Sequence, residues 1–202
     1  QTIKYFNSFT IYDHNLEILN SYNKVNLVPF GEFLPFEKTL RLIGLKTITN
    51  NYQSYSRGKK RNIIEVNKIN FSLKLLPLIC YEIIYTGNIF KSTDFDFIVN
   101  ISEDGWFGQS IGPHQHFAHS IYRAIESGKY VLRSANNGIA AIVNPLGVVE
   151  KQVDLNQSGF VDLFETKKIE PTIFSKYGNK IFASIILLYI SLIFSFNRIK
   201  NE

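Results

Sequence analysis

The feature that most constrains this chain is an apolar run over residues 75–85, which contains the only cysteine of the sequence. The run is rich in Ile, Leu and Tyr and has a proline near its start, a composition typical of a buried strand. Side chains alternate along a strand, so Cys80 and Glu82 are predicted to lie at its carboxyl end and on the same face. A free cysteine is usually a small buried hydrophobe, whereas a carboxylate in an apolar strand is rare unless it is paired or functional. Cys80 is therefore either an inert core residue or a thiol nucleophile.

Length and composition favour one globular domain with a real core. The 202 residues are 45% hydrophobic and 14% aromatic, which excludes a disordered class. The single cysteine excludes an intramolecular disulfide. The sequence contains no methionine and opens at Gln1, so we interpret it as a fragment or processed chain.

The net charge of +5 is unevenly distributed along the chain. Residues 1–75 hold 11 Lys/Arg against 5 Asp/Glu, whereas residues 76–202 hold 11 against 12. The basic segment 57–61 is either a solvated loop or a contact for anionic lipid headgroups. The excess of basic residues is not accompanied by a zinc-finger, RNP or basic-helix pattern, so no nucleic-acid partner is predicted.

Periodicity along the chain predicts an α/β sandwich rather than an all-β barrel. Residues 5–19 alternate around a turn at Asp13-His14-Asn15, as in a β-hairpin. A short amphipathic element is predicted at residues 36–43, and a longer helix over residues 114–129 with Gly128 as its stop. Further strands are predicted at residues 63–70, 71–79, 95–101, 130–134, 139–143 and 148–153.

The tail differs from the rest, because residues 181–196 carry no charge and are flanked by Lys176 and Lys180 before and by Arg198 and Lys200 after. Sixteen helical residues span roughly 24 Å, slightly less than the roughly 30 Å hydrocarbon core of a bilayer. Flanking cations that reach the interface could close this gap. We expect a catalytic domain over residues 1–170, a linker at 171–180 and a transmembrane helix at 181–198. The alternative for the tail is a buried amphipathic helix.

A reactive cysteine needs a base to take its proton and donors to hold the oxyanion that follows. One arrangement pairs Cys80 with a histidine of the segment 114–119, as in papain-like enzymes. A second treats those histidines as metal ligands, although their spacing is a weak match to a metal motif. A third uses Lys24 as the oxyanion cation and Glu32 as a supporting acid. The remaining alternative is that these histidines have neither role and are polar residues at the start of a helix or in a substrate loop.

A series of motifs in chain order resembles the nitrilase, or carbon-nitrogen hydrolase, superfamily. They are Asn23-Lys24, the segment LVPFGEFLP at 27–35, Ile79-Cys80-Tyr81-Glu82, Asn100-Ile101-Ser102 with Asp104, and Trp106-Phe107-Gly108. A second set resembles the apolipoprotein N-acyltransferase family more narrowly. It comprises Gly112-Pro113, Gln115-His116-Phe117, Arg123-Ala124, Arg133-Ser134 and Asn136-Asn137-Gly138. The resemblance runs from about Tyr5 to the C-terminus.

The resemblance implies a nitrilase-like αββα sandwich, incomplete at its N-terminus, without metal or cofactor. It places Lys24 as the triad lysine, Cys80 as the nucleophile and Glu32 as the second glutamate of the superfamily. Supporting or substrate-binding roles are implied for Tyr81, Glu82, Trp106 and His116.

The implied reaction moves an acyl chain from phospholipid to Cys80 as a thioester, and then to the α-amine of a diacylglyceryl-cysteine lipoprotein. The implied location is a bacterial inner membrane with the site facing the periplasm. In the family the triad glutamate lies on a strand upstream of the lysine, and no glutamate here, Glu17 included, sits in that motif. We therefore expect the chain alone to be nearly inactive. A nitrilase-like amidase and a non-catalytic split-gene or decayed remnant are the alternatives.

Overall fold

The computed structural model describes residues 3–44, 54–68, 71–87 and 94–200, and its α/β architecture is as predicted. Within these ranges the chain forms eight β-strands and four α-helices. The strands are β1 Ser8–Tyr12, β2 Ile18–Asn23, β3 Ile64–Lys68, β4 Phe71–Ile79, β5 Phe97–Glu103, β6 Tyr130–Asn136, β7 Ala140–Val143 and β8 Val149–Val153. The helices are α1 Glu37–Leu42, α2 Gly112–Ser127, α3 Ile173–Tyr177 and α4 Lys180–Lys200. The last two residues of the predicted strand 63–70 lie outside the described ranges.

Six strands form one sheet in the order β3-β4-β5-β6-β7-β8, and β1 and β2 form the predicted antiparallel hairpin. The central strands β4, β5 and β6 are parallel, and antiparallel strands flank them on both sides. Pro77 lies inside β4, although proline cannot donate to a ladder. The position is tolerated because the β3–β4 register ends at the pair Ile64 and Leu75, so β3 has stopped before Pro77 is reached.

Both faces of the sheet are covered, as the apolar sequence of its parallel strands requires. Leu76 and Leu78 of β4 belong to the core beneath α2, together with Phe117 and Ala124 of that helix. The alternate β4 residues, with Leu75 among them, pack with Tyr22 and its neighbours from the hairpin. The period-two alternation of β4 therefore separates two cores.

The carboxyl ends of β4, β5 and β6 meet at one edge of the sheet. In the parallel registers Ile79 pairs with Ile101, and Glu103 pairs with Asn136. This is the edge at which open α/β sheets place ligands. A 3₁₀ turn, Asp104–Phe107, follows β5 there and leads toward α2.

The prediction that Cys80 and Glu82 share one face of a strand is wrong. Strand β4 ends at Ile79, and Cys80–Ile84 is a 3₁₀ helix. Cys80 has φ of 50°, a left-handed conformation that ends the strand. The apolar residues Ile83 and Ile84 continued the hydrophobic run past this turn, and for that reason the run resembled one long strand.

The tail is helical, as predicted, since α4 covers Lys180–Lys200. In the part of the chain that the structure describes, however, no helix is both long enough and apolar enough to cross a bilayer. The predicted transmembrane helix is therefore not supported. Its uncharged run of sixteen residues spans roughly 24 Å and falls short of the bilayer core. The division into domain, linker and tail stays a prediction, and α3 lies within the proposed linker.

Candidate active site

Cys80 lies where β4 turns into the 3₁₀ helix, half-buried and free of any disulfide. Its positive φ is unusual for a residue other than glycine. Conformations of this kind cost of order 1–3 kcal/mol and cluster at functional sites. The turn places Cys80 on the wall of a cavity rather than inside the sheet. Cys80 also packs against the core that contains Tyr22 and Ile79, so it lies between that core and the cavity.

The cavity beside Cys80 has a volume of about 570 Å³. Its walls come from the loop after β2, the turn after β4, the end of β5 and the first turns of α2. Apolar and aromatic side chains dominate the walls. The polar groups that face it include Glu32, His116 and His119. Burial lowers the pKa of His119, and the nearby positive charges of Arg123 and His116 lower it further.

Lys24 and Glu32 form a buried ion pair in the loop that follows β2. The Lys24 ammonium lies 2.9 Å from both carboxylate oxygens of Glu32. The two residues are 1% and 6% exposed. Asn7 donates to the same carboxylate at 2.8 Å and the Val28 amide at 2.9 Å. Glu32 also lines the cavity of Cys80, so the pair is joined to the wall on which the thiol lies.

Glu82 does not line that cavity but lies beneath it, fully buried. Its carboxylate accepts a 2.7 Å hydrogen bond from Tyr22 and a 3.0 Å bond from the Ile79 amide. It also accepts from the amides of Val25 and Asn26, both at 3.0 Å. Arg61 supplies a cation at 3.3 Å.

One carboxylate therefore joins the loop that follows Lys24 to the strand end that precedes Cys80. Burial raises the pKa of the Tyr22 phenol well above its usual range, and the Glu82 charge raises it further. The phenol thus stays a donor to Glu82. Both Glu82 oxygens accept from protein donors, and the side chain is closed off from solvent.

Tyr81 and Trp106 contribute aromatic surface to the cavity. Tyr81 contacts Tyr85 edge-on, with ring centroids 5.5 Å apart. Trp106 comes from the turn after β5 and is 53% exposed. A Cβ added at Gly31 would lie 3.2 Å from the Trp106 ring. A side chain at position 31 would therefore require a small shift of the Trp106 ring or of Val28.

His116 connects Cys80 to a buried polar network. Its Nδ1 lies 2.8 Å from Oδ1 of Asp104, and its Nε2 lies 3.3 Å from the main-chain oxygen of Cys80. Arg133 donates to the other Asp104 oxygen at 2.6 Å. Ser102 donates to Asp104 at 2.7 Å.

Burial acts to raise the pKa of Asp104, but the hydrogen bond from His116, the charge of Arg133 and the Ser102 hydroxyl lower it overall. Burial also lowers the pKa of the Arg133 guanidinium, against the opposing effect of Asp104. Gly138 lies so close to Asp104 that a Cβ there would overlap the carboxylate. The turn after β6 is thus fitted around this anion.

The structure brings five of the seven predicted site residues to one cavity: Glu32, Cys80, Tyr81, Trp106 and His116. Lys24 reaches it through Glu32, and Glu82 supports it from below. Sequence reasoning quoted Asn100, Asp104 and Arg133 as motif residues without giving them a role. The sequence did contain a signal for a buried ion pair. Arg133 lies inside an apolar strand and Asp104 comes directly after another strand, and such charged residues are rarely buried unless they are paired.

The chain belongs to the carbon-nitrogen hydrolase family, whose model matches residues 1–163. It is similar to apolipoprotein N-acyltransferases, for instance that of Rickettsia typhi, with 39% identity over 190 residues covering 90% of this chain and 37% of the relative. The corresponding enzyme of Bradyrhizobium diazoefficiens is 36% identical over 188 residues, covering 93% and 34%. The chain thus spans about a third of the length of these curated relatives.

Solved structures share the fold at low sequence identity. Saccharomyces cerevisiae Nit3, a member of branch 10 of the nitrilase superfamily, matches with a TM-score of 0.53 and 16% identity, over 76% of this chain and 51% of that one. A mutant amidase from Nesterenkonia sp. AN1, with a covalent acetamide adduct at its active-site cysteine, matches with a TM-score of 0.50 and 16% identity, over 75% and 52%. These similarities establish a nitrilase-like fold, and the identity with the acyltransferases is more than twice as high.

Proposed function

We propose that this chain is the catalytic C-terminal portion of an apolipoprotein N-acyltransferase. The observation that carries the proposal is the position of Cys80, held in a left-handed turn on the wall of a largely apolar cavity that it shares with the Lys24-bound Glu32. An apolar cavity suits an acyl chain better than a small amide. The similarity to acyltransferases at 39% identity supports the same choice.

In the first half-reaction, the Cys80 sulfur attacks the ester carbonyl carbon of a phospholipid. A sulfur–carbon bond forms, the thiol proton passes to a base, and the lysophospholipid alcohol leaves with a proton. In the second, the α-amine of a diacylglyceryl-cysteine lipoprotein attacks the thioester. An amide forms and the thiol is restored.

Lys24 and main-chain amides near Cys80 are the proposed donors to the oxyanion of both tetrahedral intermediates. Glu32 is proposed to hold the Lys24 ammonium in place, since the two are directly bonded. Tyr81, Trp106 and His116 are proposed to shape the pocket, and Glu82 to fix its two halves.

We also propose association with a bacterial inner membrane, with the site on the periplasmic side. Exposed apolar side chains on α4 support a lipid environment, among them Phe182 at 66%, Leu187 at 65% and Phe194 at 71% exposure.

The test is to incubate the full-length protein with a phospholipid that carries a heavy-isotope acyl chain, and to measure the mass of the peptide containing Cys80. We expect the isotopic acyl mass on Cys80, and its loss when a diacylglyceryl lipopeptide is added. An unmodified Cys80 in a protein that still acylates the lipopeptide would refute the mechanism. Release of ammonia from small amides without phospholipid would instead indicate an amidase, the alternative suggested by the likeness to the Nesterenkonia enzyme.

A further inference from the structure

We propose that His116 is a positioning residue that fixes the peptide joining Cys80 to Tyr81, so that the Tyr81 N–H is held ready for the oxyanion. The inference rests on the proposed role of Cys80 as nucleophile. It assigns His116 a role different from that of a papain-like base. The deciding contact is with the main-chain oxygen of Cys80, 3.3 Å from Nε2 of His116.

That contact fixes the direction of the hydrogen bond. A carbonyl oxygen and an ionised carboxylate can only accept, so the contacts with Cys80 and Asp104 together place a hydrogen on both Nε2 and Nδ1, and both nitrogens donate. A nitrogen engaged in this way has no lone pair with which to take the thiol proton. The ring therefore serves the backbone of the nucleophile, and the proton of the thiol must go elsewhere.

The ring itself cannot easily turn away. His116 is 4% exposed and Asp104 is wholly buried. Asp104 holds the opposite nitrogen at 2.8 Å and is in turn held by Arg133 at 2.6 Å and by Ser102 at 2.7 Å. Ser102 and Asp104 come from the end of β5 and the turn after it, Arg133 comes from the middle of β6, and His116 comes from α2. Three separate elements thus define where the Cys80 oxygen lies.

The Cys80 oxygen and the Tyr81 N–H belong to one planar peptide, so fixing the first orients the second. The first N–H groups of a helix have no acceptor within it, and Tyr81 is the second residue of the 3₁₀ helix that begins at Cys80. Tyr81 also lines the cavity. A hydrogen bond to the carbonyl polarises the peptide and strengthens the N–H as a donor.

The size of the effect follows from what one oxyanion donor contributes. Removal of such a donor costs about 10²–10³ in rate. A donor that is present but loosely held is expected to lose less, so we expect a roughly 10–100-fold slower acylation of Cys80 when the His116 contact is removed.

The experiment compares two reactions of Cys80 in the full-length protein. Acylation by a p-nitrophenyl alkanoate passes through a tetrahedral oxyanion and releases p-nitrophenolate. Alkylation by iodoacetamide displaces iodide at an sp³ carbon and forms no oxyanion. His116→Asn keeps a donor near the Nδ1 position but cannot reach the Cys80 oxygen, whereas His116→Gln places an amide N–H near the position of Nε2.

We expect His116→Asn to slow acylation by roughly 10–100-fold while alkylation changes less than about threefold, and His116→Gln to recover most of the acylation rate. Equal slowing of both reactions in both variants would show a general packing role and overturn the proposal. Unchanged acylation in His116→Asn would overturn it as well. Because the acyl donor is an activated ester, the outcome is independent of whether phospholipid proves to be the natural donor.

Discussion

Lys24 and Glu32 meet as a fully desolvated pair, with the ammonium 2.9 Å from each carboxylate oxygen and both side chains at most 7% exposed. Charges so deeply buried are costly to separate from their partners. The pair therefore matters for the stability of the fold, and its carboxylate also lines the cavity beside Cys80.

Removing the charge of Glu32 should destabilise the protein strongly. In Glu32→Gln the Lys24 ammonium stays buried without its counter-ion, and loss of one partner of a buried pair costs about 3–5 kcal/mol. Urea unfolding of the full-length protein, followed by tryptophan fluorescence, measures the change. Asp94→Asn provides the control, since Asp94 pairs with Lys74 at the surface and its neutralisation should change little. A Glu32→Gln protein as stable as the wild type would contradict the prediction.

Substitution of Glu82 should impair the site without touching the cavity. Glu82→Gln replaces one acceptor oxygen with an NH₂ group, which then faces either the donors of Tyr22, Val25 and Asn26 or the donor of Ile79. Hydrogen bonds to a charged group are worth about 1.5–3 kcal/mol each, so we expect a loss of at least about 2 kcal/mol in the free energy of unfolding.

The acylation rate of Cys80 should fall in the same Glu82 variant, because the lysine loop and the nucleophile turn lose their common anchor. Thermal unfolding and a burst assay of Cys80 acylation give the two measurements. Glu17→Gln is the matched control, since Glu17 lies exposed just before β2. Wild-type stability in Glu82→Gln would show that the carboxylate charge is not needed there.

The backbone of Cys80 should reveal its strain when two inactive variants are compared. Cys80→Ala keeps a Cβ in the left-handed turn with φ of 50°, whereas Cys80→Gly relieves it. A left-handed conformation costs roughly 1–2 kcal/mol for a residue with a Cβ, and glycine recovers part of this despite its larger loss of backbone entropy on folding. We expect Cys80→Gly to be more stable than Cys80→Ala by about 0.5–1 kcal/mol. The midpoints of denaturant unfolding, compared where the two transitions have the same slope, test which variant is more stable. A more stable Cys80→Ala would contradict the prediction.

The stability of the protein should depend on Asp104 at acidic pH. Its pKa is lowered from a usual 3.8 in the folded state, so ionised Asp104 stabilises the fold above about pH 4. This contribution is lost as the pH falls below 3.8 and through the still lower folded-state pKa.

Urea midpoints between pH 6 and pH 2.5, compared for the wild type and Asp104→Asn, measure that contribution. The variant should be the less stable protein at pH 6, and the difference should shrink steadily toward pH 2.5. A difference that stays constant over this range would contradict a titrating Asp104.

The sequence predicted the order and type of the main elements because their signals are local. The alternation in β1 and β2, the apolar runs of β4 and β5, and the helix α2 with its stop at Gly128 were all readable within a few residues of each element. The turn at Cys80 was not readable, because Ile83 and Ile84 continued the apolar run. A left-handed cysteine has no compositional signature of its own.

The residues of the site were predictable from motifs, but their contacts were not. Glu82 was placed beside Cys80 from its spacing, whereas the structure shows its carboxylate bonded to amides 56 and 57 positions away in the chain. Likewise, nothing in the sequence connects His116 with the main-chain oxygen of residue 80, since that contact depends on how α2 packs over the sheet. Such pairings arise only from tertiary structure.

The carboxylate of Glu82 joins two segments that lie more than 50 positions apart in the chain, since it accepts from the Val25 and Asn26 amides and from the Ile79 amide. The loop after Lys24 and the turn at Cys80 therefore have a fixed relative position only where both segments contact this one buried side chain. A stretch of sequence that contains either segment without the other lacks the anchor.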